Sequence, residues 1–176
     1  ETAAVAIEAG IRAMIGMIVI NFPSKWASNV NEYLRKGQAV HDRYCAHPLI
    51  RFSFAPHAPY TVDDTCLKRI ATLADELDIP VHIHLHETMS EIEAAVAATG
   101  VRPLRRLEGL GLVSPRLIAV HMTSIETGEI ELLARTGLAA WANFHGATTP
   151  NNPARLPDST SLRVTRERLI VPVPSI

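Results

Sequence analysis

Cysteine is scarce in this chain: Cys45 and Cys66 are the two present in 176 residues, far apart and without metal-ligand spacing. That excludes a disulfide framework, fits a reducing cytoplasm, and leaves each expected as a buried or half-buried thiol. Long hydrophobic runs are missing too. The most apolar stretch, Ile11 to Ile20, is too short and too interrupted by Met and Gly to span a bilayer, and no signal peptide precedes it. Charge of one sign is not in excess: the formal net charge is −1, with Lys and Arg scattered among acids, which argues against a nucleic-acid or anionic-membrane partner. No G-x-G-x-x-G or P-loop sequence follows an early strand, so the usual phosphate cradle of a doubly wound sheet is absent. What remains is a chain 47% hydrophobic, long enough for one globular core, whose natural partner is a small molecule. It starts at Glu1 without an initiating Met, so it is expected to begin inside a longer polypeptide.

Helical and strand periods alternate along the sequence. Thr2 to Ala9 reads as a helix stopped by Gly10, and Ile11 to Ile20 as a buried strand. The spacing then predicts a helix over Val30 to Tyr44, a strand over Leu49 to Pro56, and a helix through Leu77 capped by Asp63 and Asp64. Ile79 to His86 follows as a strand, Ser90 to Ala98 and Pro103 to Gly109 as helices, Leu117 to His121 as a strand, Thr127 to Arg135 as a helix stopped by Gly137, and Leu138 to Phe144 as a last strand. Strict alternation with near-continuous apolar strands implies a parallel sheet with right-handed crossovers. Without a phosphate turn, the expected fold is α/β, a partial (β/α)8 barrel, in which the chemistry sits at the C-terminal ends of the strands.

Unusual polar residues gather at those ends. Val81-His82-Ile83-His84-Leu85-His86-Glu87-Thr88 packs three histidines and a carboxylate into one strand, and a period of two predicts that His82, His84 and His86 share a face. Neutral imidazole is a common ligand for zinc, and a Glu just past the ligand is placed to move a proton to or from water on the metal. The plain alternative is a strand with polar residues at a sheet edge. Pro56 and Pro59 hold His57 rigidly at the rim of the preceding strand, and His121 ends the following one. Alone, His57 reads equally as a turn residue; its neighbours at the same rim favour a binding role. Trp26 could contact substrate or pack on its own turn, and is left out of the catalytic set. Glu91 and Glu93, the trio Arg102, Arg105 and Arg106, and the trio Glu126, Glu129 and Glu131 read as solvated helix faces with ion pairs of small value.

The runs Phe54-Ala55-Pro56-His57-Ala58-Pro59-Tyr60-Thr61, His82-Ile83-His84-Leu85-His86-Glu87-Thr88 and Ala119-Val120-His121-Met122-Thr123 together resemble the amidohydrolase superfamily. Within it the chain is most similar to the cytosine deaminase-like aminohydrolases, which include the 5-methylthioadenosine/S-adenosylhomocysteine deaminases and the s-triazine hydrolases. The resemblance implies a mononuclear zinc or iron site and a hydrolase that deaminates a purine nucleoside or related heteroaromatic ring. His84, from the family's fifth strand, would be the metal ligand and Glu87 the proton shuttle between metal-bound water and the leaving amine. His121, from the sixth, would orient the attacking hydroxide, and His57, from the fourth, would contact substrate. His82 and His86 would not be ligands; they would orient neighbours or fill polar layers of the barrel interior. A heteroaromatic substrate and water are the implied partners, without nucleic acid or membrane, and self-association is left open.

The chain also departs from that pattern. A complete barrel needs about 250 residues, and this sequence supplies counterparts only of the third to seventh strands. The family's first-strand His-x-His pair and eighth-strand Asp have no counterpart here, so the isolated chain is expected to bind zinc weakly and not to deaminate. The resemblance fades after Gly137, giving an expected barrel portion over 1–138 and a divergent, irregular tail over 139–176, with the reading frame lost or truncated near Leu138. An s-triazine or other heteroaromatic chlorohydrolase is the alternative within the family. A non-catalytic scaffold that complements another chain is the alternative outside it.

Overall fold

The computed structural model describes residues 1–136 and the backbone of 139–142. Five strands, β1 (Ala13–Val19), β2 (Ile50–Pro56), β3 (Val81–Leu85), β4 (Leu117–His121) and β5 (Ala139–Ala142), alternate with helices. The helices are α1 (Thr2–Glu8), α2 (Val30–Tyr44), α3 (Asp64–Leu77), α4 (Met89–Thr99), α5 (Pro103–Gly109) and α6 (Thr127–Thr136). The strands lie in sequence order in one sheet, and each neighbouring pair is parallel. Sequential order means that every crossover steps the same way, so right-handed connections place the helices on one face. This is the arrangement expected of a (β/α)8 barrel segment; a doubly wound sheet would reverse its order partway. The expected irregular tail, and the expected loss of frame near Leu138, lie outside the described residues except for the β5 backbone.

Local chemistry sets the boundaries. Gly10, at φ +69°, takes the left-handed turn that releases the chain from α1. Asn29 and Asp63 cap α2 and α3, each side chain accepting from the N–H three residues on, at 3.0 and 2.8 Å. Gly37 lets α2 lie close on β1, since a Cβ there would sit 3.1 Å from the Met17 Cβ.

The core is the helix side of the sheet. Met17 and Val19, Ile50, Phe52 and Phe54, Val81, Ile83 and Leu85, and Leu117 and Ala119 are all buried there, packed with Tyr33, Leu34, Leu67, Ile70, Leu104, Leu107 and Leu132. Many of the intervening residues, among them Ile18, Ala55, His82, His84, Ile118 and Val120, are only half-buried and form the opposite face. Cys66 is buried as expected, but Cys45, at the end of α2, is exposed, against expectation, because it follows the last buried turn of that helix.

One seam interrupts the sheet. β1 and β2 are in register over seven pairs from Ala13–Ile50 to Val19–Pro56, whereas β2 and β3 pair only at Phe54–Val81. Phe54 N–H donates to the Pro80 carbonyl at 2.9 Å, and the next donor in that register would be Pro56, which has none. Pairing resumes one residue out of step, with His84 N–H on the His57 carbonyl at 3.0 Å. The slip delivers His57 beside His84.

Candidate active site

Two left-handed corners build the site. A strict alternation would put His86 on the open face with His82 and His84, and His121 on the buried face with Leu117 and Ala119. The backbone turns over at both places, with φ +53° at His86 and +79° at His121, followed by +47° at Met122. Non-glycine residues in this region are uncommon and gather at functional sites. The exchange sends the His86 ring into the core, fully buried, and Met122 after it, while Glu87 and His121 come out at the open rim. The expectation that three histidines share a face is therefore corrected: His82 and His84 do, and His86 does not.

At the rim, His84, Glu87 and His121 meet: one donor atom from each lies within 4.8 Å of the other two. His121 Nε2 is 3.7 Å from Glu87 Oε2, and the His84 and His121 ring centroids are 5.0 Å apart. His57 stands edge-on to His84 at 5.3 Å and to the exposed Tyr60 at 6.0 Å. Its Nδ1 lies 3.3 Å from Thr61 Oγ1. All four sequence-derived site residues thus converge. His82 sits one layer below, 6.1 Å from His84. Burial, reinforced by the neighbouring imidazoles of His121, His57 and His82 and opposed by Glu87, lowers the pKa of His84; burial likewise lowers that of His82. A neutral imidazole with a free lone pair is the form that ligates metal, so two imidazoles and a carboxylate at these separations fit a divalent cation.

Several residues that looked solvated hold this geometry. The Glu91 carboxylate accepts from the N–H groups of His86 and Glu87 at 3.3 and 2.8 Å, fixing the first corner from the start of α4. Thr88 caps the same helix by accepting from Glu91 N–H at 3.2 Å. The spacing Thr88-x-x-Glu91 is that of a capping box, the signal that would have found Glu91. Thr123 ties the second corner to the first: its N–H and hydroxyl donate to the His86 carbonyl at 3.1 and 2.8 Å, and the hydroxyl also to the Glu87 carbonyl at 2.9 Å.

Glu129 corrects the surface-helix reading most sharply. It is 1% exposed and receives Arg102 through two parallel hydrogen bonds, Nε to Oε1 at 2.9 Å and Nη2 to Oε2 at 3.0 Å. The carboxylate raises the pKa of Arg102 further above its ordinary value. His86 Nε2 lies 3.7 Å from Glu129 Oε1 and accepts from Leu104 N–H at 3.3 Å, leaving Nδ1 without a partner among the described residues. Burial, against the pull of Glu129, pushes the His86 pKa down to about 4, so the ring is neutral at pH 7. Arg106 also points inward, to Asp64 and the backbone of residues 59–62. Trp26 is exposed, with Lys36 Nζ 5.4 Å from its ring. No helix among the described residues is long and apolar enough to cross a membrane.

Comparisons with known proteins give the chain's relatives and its fold. Over 131 residues the chain is 49% identical to a 5-methylthioadenosine/S-adenosylhomocysteine deaminase of Saccharophagus degradans, covering 74% of this chain and 29% of that protein. Among solved structures, an adenosine deaminase from Xanthomonas campestris with bound zinc superposes with a TM-score of 0.77 at 50% identity, covering 78% of this chain and 31% of the other. The zinc complex of an atrazine chlorohydrolase from Arthrobacter aurescens shares the fold at a TM-score of 0.71 and 21% identity, over 79% of this chain and 33% of the other. The chain thus spans about 30% of the length of the relatives it matches. The Amidohydrolase family matches residues 1–161, running on past Leu138, and the chain belongs to that family.

Proposed function

We propose that this chain contributes one wall of the active site of a metal-dependent aminohydrolase that removes ammonia from the purine ring of a nucleoside such as 5-methylthioadenosine or S-adenosylhomocysteine. The observation that carries the proposal is the meeting of His84, Glu87 and His121 within 4.8 Å at the strand ends, with His57 beside them. Its substrate class rests on the deaminase relatives at about half identity. His84 would hold the metal, with Glu87 and His121 near enough to share it; zinc suits this donor set, and iron is the alternative. When bound there, such an ion supplies the Lewis acidity that makes water nucleophilic near neutral pH.

The residues of this chain do the proton work and the positioning. Water adds to an sp2 carbon of the ring, the exocyclic C–N bond breaks, and ammonia leaves. Glu87, at Oε2, takes the proton from the water and returns it to the departing nitrogen, a general base that becomes the general acid. His121 Nε2, facing that carboxylate at 3.7 Å, orients the water by hydrogen bonding. His57, on its proline-braced turn beside exposed Tyr60, contacts the ring or the leaving group. The same attack on a ring carbon would serve a chlorine leaving group, but the likeness to the chlorohydrolase extends to the fold alone.

The test is ammonia release from 5-methylthioadenosine by the longest in-frame polypeptide that contains residues 1–176, purified with zinc. Turnover is expected, and Glu87→Gln should reduce it at least a thousandfold while far-UV circular dichroism stays unchanged, since both halves of the proton relay are lost. Full activity in Glu87→Gln would sink the assignment of the shuttle. Zinc binding without turnover of any purine nucleoside would sink the substrate class.

A further inference from the structure

We propose that α5 with its N-cap is the positioning element of this site and that Arg102, the N-cap, and Arg106, within the helix, are its two positioning residues, each setting a different part of the catalytic rim. The proposal rests on the functional reading above for what the rim does, but its geometry stands apart from it. α5 is seven residues long, begins with Pro103, and is rooted in the core by Leu104 and Leu107, both fully buried. From this root it reaches three connections that carry site residues.

Arg106 holds the first. Its Nε donates to Asp64 Oδ1 at 2.7 Å and its Nη groups donate to the Pro59 and Val62 carbonyls. These acceptors flank Thr61, whose hydroxyl lies 3.3 Å from His57 Nδ1. The turn carrying the substrate-contacting histidine is therefore tied to a helix more than 40 residues away in sequence. Arg102 holds the second. Its Nη2 donates to the Ser124 carbonyl at 2.8 Å while its fork grips buried Glu129, whose Oε2 also accepts from Glu126 N–H at 3.0 Å. That fixes the connection that leaves the left-handed corner at His121. Between them, Leu104 N–H donates to His86 Nε2 and fixes the corner before Glu87.

Stability alone does not call for this chemistry. A buried Arg–Glu pair is often replaceable by apolar residues without loss, whereas a planar fork bound to carbonyls at defined angles dictates a loop conformation. The two arginines lie one turn apart and face different loops, so their effects should separate. Arg106 acts through His57 on substrate binding; Arg102 acts through His121 and the Glu87 corner on the chemical step.

The experiment uses the same full polypeptide and reads steady-state kinetics together with amide hydrogen exchange of loop peptides. Lys replaces each arginine, because it keeps the charge but cannot span the acceptors. Arg106→Lys should raise KM about tenfold with kcat within threefold, and speed exchange in residues 57–63 alone. Arg102→Lys should lower kcat about tenfold with KM within threefold, and speed exchange in 121–127 and 86–88 alone. If Arg102→Lys does not fold, the double variant Arg102→Met with Glu129→Leu, which removes the buried pair together, takes its place with the same expected exchange pattern. Equal changes in kcat and KM for both variants, or exchange that rises across the whole sheet, would overturn the proposal. Should the wild-type protein turn over no nucleoside, the functional reading fails, and the exchange patterns alone decide whether α5 holds the two loops separately.

Discussion

Glu129→Ala should be among the most damaging single substitutions outside the strands. The side chain is 1% exposed, and its partner's guanidinium is held in a half-closed site, with Arg102 only 16% exposed. Removing the carboxylate strands three donors: the two Arg102 N–H groups and the Glu126 N–H just before α6. Breaking a buried pair from one side costs about 3–5 kcal/mol, because the remaining charge keeps its desolvation penalty and loses its compensation. With a urea slope of about 2 kcal/mol/M, the unfolding midpoint should fall by about 2 M at unchanged slope. Arg102→Met with Glu129→Leu should recover most of that loss, so the double variant should unfold nearer the wild-type midpoint than Glu129→Ala does. Raising NaCl to about 0.5 M should barely alter the cost, since a buried pair is poorly screened. The neighbouring pair Arg105–Glu108, 38% and 41% exposed, is the control and should contribute no more than about 1 kcal/mol. Urea melts followed by far-UV circular dichroism measure all of these, and a Glu129→Ala cost below about 1 kcal/mol would refute the reasoning.

Glu91→Ala removes the acceptor for the His86 and Glu87 N–H groups, and should cost about 1–2 kcal/mol in a urea melt while lowering turnover more than a surface variant such as Glu93→Ala does. Hydrogen bonds from the Ser28 hydroxyl and then from Lys36, with a further one from the Ser28 N–H, lower the Glu32 carboxyl from its ordinary range to about 2. Its folded pKa is depressed, so its contribution is present above about pH 4.5 and is lost as pH falls toward 2. The difference in urea midpoint between wild type and Glu32→Gln should therefore be constant from pH 7 to 5 and shrink from pH 4.5 downward; a difference that grows on acidification would show the sign to be wrong.

Element type was legible in the sequence wherever one period ran uninterrupted. The helix Val30–Tyr44 is found where its spacing placed it, and β2, β3 and β4 lie within their predicted spans. The four candidate residues were singled out because the barrel rule sends chemistry to strand ends, where histidines lie at or just past three strands, and because the family resemblance chose His84 and Glu87 over His82 and His86. What escaped was chemistry that alternation does not encode. A period of two assumes extended backbone throughout, so it misplaced His86, where one left-handed residue swaps the faces. Arg102, Arg106 and Glu129 looked like solvated charges because the arginines' partners lie 22 to 47 residues away, a distance that no local pattern reports. Only the Thr88-x-x-Glu91 spacing carried a local hint.

The missing N–H of Pro56 has a mechanical meaning. It divides the sheet into a firmly laddered pair, β1 with β2, and a second group, β3 with β4 and β5, joined across a line of weak pairing. His57 stands on one bank of that line, and His84, Glu87 and His121 stand on the other. Under thermal or mechanical load the two banks should part there first, so that the candidate residues separate while each bank keeps its own ladder; hydrogen exchange rising first in β1 with β2 as a unit, or evenly across the sheet, decides it. Arg106 is rooted on the far bank and bonded to the near one, so it works as a tie rod across a fault: slacken it, and the gap between His57 and His84 should widen while the secondary structure still reads as intact.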